Sequence, residues 1–265
     1  MSVRGDSILL VFPDGKRMLM DGGGIPAFGH QTRSQLDTGE DIVAPYLWDR
    51  GIRDVDIVAL SHAHDDHIGG LPALVADFHP RELWTGATPD SPGWSKLHDE
   101  AVRDRVKVVP LDAPRRFVFG GATIDVLAPL ADYIPNDTPK NNDSLVLRIR
   151  YGSRSFLLTG DVERSIEYRM LDESEVQPID VLKVAHHGSR TSSTQSFLDA
   201  ANPAFAIISV GADNSYGHPN RDVLARLADR HTEVLRTDLH GLITVRTDGS
   251  IWTSRRDGNF AASWE

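Results

Sequence analysis

Four residues able to ligate a cation, His62, His64, Asp66 and His67, fall within six positions inside the run Ser61–Gly70. Imidazole and carboxylate donors without a thiol suit zinc, manganese or iron. The apolar run Val55–Leu60 just before them has the length and β-branched content of a buried strand. Side chains two apart on an extended segment point the same way, so His62 and His64 converge on one ion. Asp66 and His67 lie past the turn, where the chain bends back toward a second ion. Gly69 and Gly70 allow a close turn into a helix predicted over Leu71–Phe78. A solvated polar loop is the competing reading, but four donors directly behind a buried strand favour metal.

Two more strands end in donors. Phe156–Leu158 runs into Thr159-Gly160-Asp161. A carboxylate there can bridge two cations, as two-metal hydrolysis requires. Alone, Asp161 reads as a helix N-cap; beside the Ser61–Gly70 run it reads as a ligand. Val181–Ala185 leads into His186-His187-Gly188-Ser189. One of these histidines should bind the second ion and the other face substrate, with His187 favoured as the ligand. Ser189, Arg190 and the hydroxyls after them would suit a phosphate at a helix entry, although N-capping explains the hydroxyls equally well. His218, in Tyr216-Gly217-His218-Pro219, either contacts substrate or is a surface histidine in a turn. His30, His79, His98, His231 and His240 lack a strand-end context and read as surface or packing residues.

These donors need a scaffold. Ser7–Phe12 and Arg17–Met20, joined by Pro13-Asp14-Gly15-Lys16, read as a hairpin. A polar loop from Ile25 to about Asp41 is long enough to be an active-site loop. Ile42–Arg50 reads as a helix stopped by Gly51. Strands follow at Leu83–Thr85, Val106–Val109, Arg116–Phe119 and Thr123–Leu127, with a helix at Ser95–Arg103. Ala128–Asp143 reads as a loop, followed by a second hairpin, Ser144–Tyr151 and Ser155–Leu158. Helices at Glu163–Leu171, Thr194–Ala201 and Arg221–Arg230 alternate with strands Val181–Ala185 and Phe205–Val210, and short strands close the chain at Glu233–Arg236, Leu242–Arg246 and Ile251–Ser254. The order fits two packed sheets with helices outside, in one domain spanning residues 1–265.

Composition sets outer limits. The 265 residues contain no cysteine, which removes disulfides, thiol nucleophiles and thiolate zinc sites. A net charge of -10 argues against a broad nucleic-acid-binding surface, leaving room for a local basic mouth. No apolar run is long enough for a membrane span, and Met1–Asp6 lacks the apolar core of a secretion signal, so the chain by itself reads as cytoplasmic.

Together these segments resemble the metallo-β-lactamase fold, an α/β sandwich of two mixed β-sheets with helices outside (αββα). His62-Ala63-His64-Asp65-Asp66-His67 matches its HxHxDH motif, Leu158-Thr159-Gly160-Asp161 the motif of the bridging aspartate, and Asp21 a structural aspartate near the site. Within that superfamily the chain is similar to the C-terminal hydrolase domain of the ComEC competence DNA-uptake proteins. The similar stretches include Gly5–Leu10, Asn141–Leu147, Leu182–Ser189, Ile208–Gly211, Tyr216–Pro219 and Arg236–Asp238. Most superfamily members carry a further histidine where this chain has Asn141, Asn142 and Asp143, so Asn142 or Asp143 would serve as an oxygen ligand and open the first site to manganese. Members usually begin with a strand leading into Gly-Asp-Ser; here only Met1–Arg4 precede Gly5, so the resemblance implies an excised domain, a shortened gene product or a fragment without its first strand.

The resemblance implies a metal-dependent phosphodiesterase or nuclease holding two divalent ions, Zn or Mn, with single-stranded DNA or a small phosphodiester as substrate. His62 and His64 would serve the under-ligated ion, Asp66, His67 and His187 the other, and Asp161 both. Asp66 would orient the attacking hydroxide and His186 stabilise the phosphorane oxygens, with Arg190, Lys183 or His218 offsetting phosphate charge. The native context would include a membrane channel domain, and a membrane-associated or extracytoplasmic location. A β-lactamase, lactonase or thioesterase on the same fold is the alternative, and a non-catalytic module partnering the channel is a further one.

Overall fold

The computed structural model describes residues 5–25, 36–173, 175–212 and 214–256. In the first sheet, β1 (Ile8–Val11) and β2 (Arg17–Met20) form an antiparallel hairpin. β3 (Ile57–Leu60), β4 (Glu82–Thr85) and β5 (Lys107–Pro110) then add in parallel, giving the order β1-β2-β3-β4-β5. Parallel strands need crossovers, and these carry α1 (Ala44–Asp49), the single turn α2 (Asp65–Ile68), α3 (Leu71–Phe78) and α4 (Pro92–Arg103). All four residues of β3 are buried, which explains its unbroken apolar run rather than an alternating one.

The second sheet begins as an antiparallel meander: β6 (Arg115–Phe119), β7 (Ala122–Ala128), β8 (Val146–Tyr151) and β9 (Arg154–Leu158). It continues in parallel with β10 (Val181–Lys183), β11 (Phe205–Ile208) and β12 (Glu233–Arg236), through α5 (Arg164–Asp172), α6 (Gln195–Ala201) and α7 (Arg221–Ala228). After the turn α8 (Thr237–His240), β13 (Ile243–Thr247) and β14 (Trp252–Arg256) make a separate hairpin.

Three apolar layers hold this together. Met18, Met20, Ile57, Trp84, Ile124, Leu145, Leu147 and Leu158 pack between the sheets. Leu47, Leu71, Leu74, Phe78 and Leu97 join helices to the outer face of the first sheet. Ile166, Met170, Phe197, Leu198, Val223 and Leu227 do the same for the second. The result is the helix–sheet–sheet–helix sandwich expected from the element order.

Boundaries differ where local sequence is weak. Ile42–Arg50 is a π-helical turn over Gly39–Val43 leading into α1, which ends before Gly51 at φ 71°. Thr237–His240 forms a turn that no apolar period announces. Residues 26–35 of the loop, with His30, lie outside the described residues. No helix among the described residues is long and apolar enough to cross a membrane.

One buried charge cluster ties the meander together. Asp125 on β7 meets Arg116 on β6 and, at 3.1 and 3.2 Å, Arg148 and Arg150 on β8; Arg148 is itself buried and also donates to the Glu175 carbonyl at 2.8 Å. Burial opposes ionisation of Asp125, but the three guanidiniums outweigh it and hold the carboxyl below its ordinary range. Asp125→Ala leaves Arg148 buried without its counter-ion and should cost about 3 kcal/mol, read as a lower denaturant midpoint at unchanged m-value. Because the folded pKa is depressed, this contribution is complete above the ordinary aspartate range and disappears as pH falls through the folded value.

Candidate metal centre

The donors gather at one edge of the two sheets, where β3, β9 and β10 end. His62 follows β3, His64 precedes α2, and Asp66 and His67 lie within α2. Asp161 follows β9, and His186 and His187 follow β10 in the tight turn Ala185–Gly188. The two sheets are joined here by the Leu145 N–H donating to the Ser61 carbonyl at 2.8 Å. Gly160 takes φ 51°, and a Cβ there would stand 2.7 Å from Ser144 Oγ, the acceptor of the Asp161 N–H. His186 and His187 also occupy the left-handed region, at φ 51° and 53°. Consecutive non-glycine residues there cost free energy that the surrounding packing must hold in place, and such strain clusters at functional sites.

Two buried imidazoles are aimed at one carboxylate oxygen. His67 Nε2 and His187 Nε2 each lie 3.4 Å from Asp161 Oδ2, and His187 Nε2 lies 3.5 Å from Asp66 Oδ2. Neither nitrogen has a hydrogen-bond partner despite its burial. Their opposite nitrogens are engaged: His67 Nδ1 with Asp21 Oδ2 at 2.8 Å, and His187 Nδ1 with the Ser209 carbonyl at 2.9 Å. Such partners fix the tautomer and direct the Nε2 lone pair outward, the arrangement found behind ligating histidines. Asp21 is itself fixed by the Ser61 N–H and Oγ, both at 2.7 Å. The orphaned Nε2 atoms and converging carboxylates fit a divalent cation, and Asp66, His67 and His187 offer donor atoms within 4.8 Å of one another.

Electrostatics favour ionised carboxylates. Burial would raise the Asp161 pKa, but His187, His67 and Lys183 outweigh it and hold the group well below its ordinary value. Asp66 behaves the same way, burial being outweighed first by the neighbouring His187 imidazole. His67 is pushed up: burial opposes its charge, and Asp161 and Asp21 prevail.

His62 and His64 form a second pair, with Nε2 of the first 3.0 Å from Nδ1 of the second. Burial, then His67, lowers the His62 pKa, keeping it a neutral donor. His62, His67 and Asp161 also offer donor atoms within 4.8 Å of one another. The third ligand expected from Asn142 or Asp143 does not appear in this arrangement. Asn142 Oδ1 accepts the Glu163 N–H at 2.8 Å and its amide donates to Ser165 Oγ at 3.0 Å, so it latches the start of α5. Asp143 is buried, accepting from Tyr133 Oη and the Lys140 N–H, both at 2.7 Å.

The expected substrate-facing residues divide. His186, half-buried, is held by a set that sequence reasoning missed: Glu163 Oε1 lies 3.5 Å from its Nδ1, Thr191 Oγ1 at 3.4 Å and Asn141 Nδ2 at 3.3 Å. His218 stands with its ring centroid 5.7 Å from that of His186 and stacks on Tyr216. Burial, aided by His186 and His187, lowers its pKa to about 4, so it is neutral at physiological pH. Arg190 is exposed, and Ser189 is buried with its hydroxyl 3.1 Å from Thr191 Oγ1.

Lys183 is corrected. It is buried, paired with Asp6 and, at 3.2 Å, with Asp161, and it donates to the Gly160 carbonyl at 2.8 Å. An ammonium so enclosed cannot reach a substrate phosphate. The helix entry after Ser189 is corrected likewise: the Ser193 and Thr194 N–H groups are already taken by the buried Glu167 carboxylate, at 2.5 and 2.8 Å. Asp6 was missed as a site residue. It is buried beneath the centre, 3.6 Å from His187 Nδ1, and its signal was the Gly-Asp-Ser ahead of β1. Of the histidines set aside, His79 pairs with Asp104, His98 packs on Trp94, and His240 accepts the Arg236 N–H.

The profile of the metallo-beta-lactamase superfamily matches residues 3–212. Among curated proteins, the chain is 32% identical over 256 residues to ComE operon protein 3 of Bacillus subtilis (strain 168), covering 94% of this chain and 33% of that protein. It is 30% identical over 205 residues to competence protein ComA of Neisseria gonorrhoeae, covering 76% and 26%. The chain therefore spans about a third or less of these relatives. Among solved structures, the metallo-beta-lactamase fold protein YhfI from Bacillus subtilis superposes with a TM-score of 0.52 at 16% identity, over 88% of each chain. This likeness in fold agrees with the facing sheets and the donors at their shared edge, and the chain belongs to the metallo-beta-lactamase superfamily.

Proposed function

We propose that this chain is a metal-dependent phosphodiesterase acting on DNA, preferentially single-stranded. The observation that carries the reading is the pair of buried, unpartnered Nε2 atoms of His67 and His187 facing one Asp161 oxygen. Similarity to named competence proteins over most of the chain supports nucleic acid as the substrate class.

Asp66, His67, His187 and Asp161 would hold one divalent ion, and His62, His64 and Asp161 a second; with fewer imidazoles and no cysteine, zinc or manganese suits the set. Ions held there would supply Lewis acidity toward a phosphoryl oxygen and bring water toward ionisation near neutral pH. The remaining roles belong to the chain. Asp66, kept ionised, accepts a hydrogen bond from the incoming water and orients it. His186, whose Nδ1 accepts from the Asn141 amide, keeps its proton on Nε2 and donates it to a phosphoryl oxygen. Neutral His218 offers a second N–H beside it, and exposed Arg190 balances charge toward solvent. The competence proteins among its relatives support a native setting in DNA uptake.

Protein reconstituted with manganese or zinc should cleave single-stranded DNA and bis-p-nitrophenyl phosphate, and chelation should abolish both activities. Turnover of nitrocefin or a lactone equal to that of the phosphodiesters would overturn the reading. Glu163→Gln removes the carboxylate behind His186 and should lower kcat about 10-fold with KM nearly unchanged, the mark of an interaction made in the transition state.

A further inference from the structure

Access to the centre is lopsided. On the side of Asp66, His187, Tyr216 and His218 the free space is about 20 Å³, room for little more than one water molecule. On the side of His64, a cleft of about 490 Å³ opens between the 133–142 segment and Glu163, within the size range of small-molecule sites. Of these two spaces, the second cleft is the one with room for a substrate group bulkier than the reacting phosphate.

Its walls differ in chemistry. Ile134 is 86% exposed at one rim, next to Tyr133, whose hydroxyl is held by Asp143. An apolar side chain held out to solvent beside a fixed ring offers a face for a planar base. Asn136 stands beside them with an amide able to meet a base edge. The exposed Lys140 forms no ion pair among the described residues and lies on the same wall. Glu163, on the opposite wall, is acidic and disfavours a second phosphate at its end of the cleft.

We infer that this cleft is a nucleotide subsite: the base flanking the scissile phosphate rests on Tyr133 and Ile134, and the next phosphate meets Lys140. The inference rests on the phosphodiesterase reading for its orientation relative to the centre. It explains how a chain of net charge -10 could bind DNA through a local contact and no broad basic surface.

The test is binding of a fluorescein-labelled single-stranded phosphorothioate oligonucleotide, which resists cleavage, to the manganese-loaded full chain, followed by anisotropy. Adding Ile134→Asp or Lys140→Ala should weaken binding about 10-fold each, and the Lys140→Ala loss should shrink as salt rises. Lys107→Ala, on the distant β5, is the control and should change nothing. With a cleavable oligonucleotide the same changes should raise KM with kcat nearly constant. Unchanged affinity in both variants, or no binding in their parent, overturns the subsite. Binding that responds to both changes in a protein that cleaves no nucleic acid overturns the phosphodiesterase reading and leaves the subsite standing.

Discussion

Asp161→Asn should reduce phosphodiester turnover by about 10³-fold, and metal analysis should show the protein emerging from dialysis with less bound ion. The argument is positional. One Asp161 oxygen lies 3.4 Å from Nε2 of both His67 and His187, while the other lies 3.2 Å from the Lys183 ammonium. The asparagine keeps the volume and the backbone N–H bond to Ser144 Oγ but removes the charge between two imidazoles. Its amide oxygen is neutral and holds a cation less strongly than a carboxylate oxygen. A loss of that size corresponds to about 4 kcal/mol of transition-state stabilisation. Full activity with undiminished metal content would show that Asp161 is a helix-entry residue only, the reading its sequence position favours by itself. Far-ultraviolet circular dichroism should be unchanged, separating a ligand defect from a folding defect.

Legibility in the sequence followed the length of each pattern. Strands such as Ile57–Leu60 and helices such as Leu71–Phe78 were readable because burial on two faces, or one apolar stripe, repeats over enough residues to register. Donors at the ends of three such strands could then be read as one metal site. What escaped depended on partners remote in sequence. Lys183 sits among apolar neighbours in Val181–Ala185, and only the fold reveals that Asp6 occupies the space beside it. Asn142 and Asp143 are equally able to ligate on paper, yet each is engaged by Glu163, Ser165, Tyr133 or Lys140. The left-handed backbone of His186 and His187 carries no glycine signal, since packing alone imposes it. Asp65–Ile68 is a single helical turn, too short for any period.

Lys183→Met should destabilise the metal-free protein by about 4 kcal/mol, a lower midpoint in chelator being the measurement. Methionine fills the channel of the lysine stem but leaves Asp6 and Asp161, both buried, facing each other with one cation fewer. Burial pushes both carboxyls toward the neutral form, and Lys183 is the largest countering charge on Asp6 and one of three on Asp161. The Lys183 pKa is itself raised, because the two carboxylates outweigh its burial. Its contribution is therefore complete below the ordinary lysine range and is lost only as pH rises through the higher folded value. If the centre binds cations as proposed, added manganese should recover part of the deficit, because charge bound near Asp161 replaces what the ammonium supplied. A phosphate-binding lysine behaves oppositely: its loss raises KM and spares stability. Unchanged midpoints in chelator together with a raised KM would return Lys183 to the substrate side. The buried position of the ammonium, against the Gly160 carbonyl and between two carboxylates, argues that the stability term dominates.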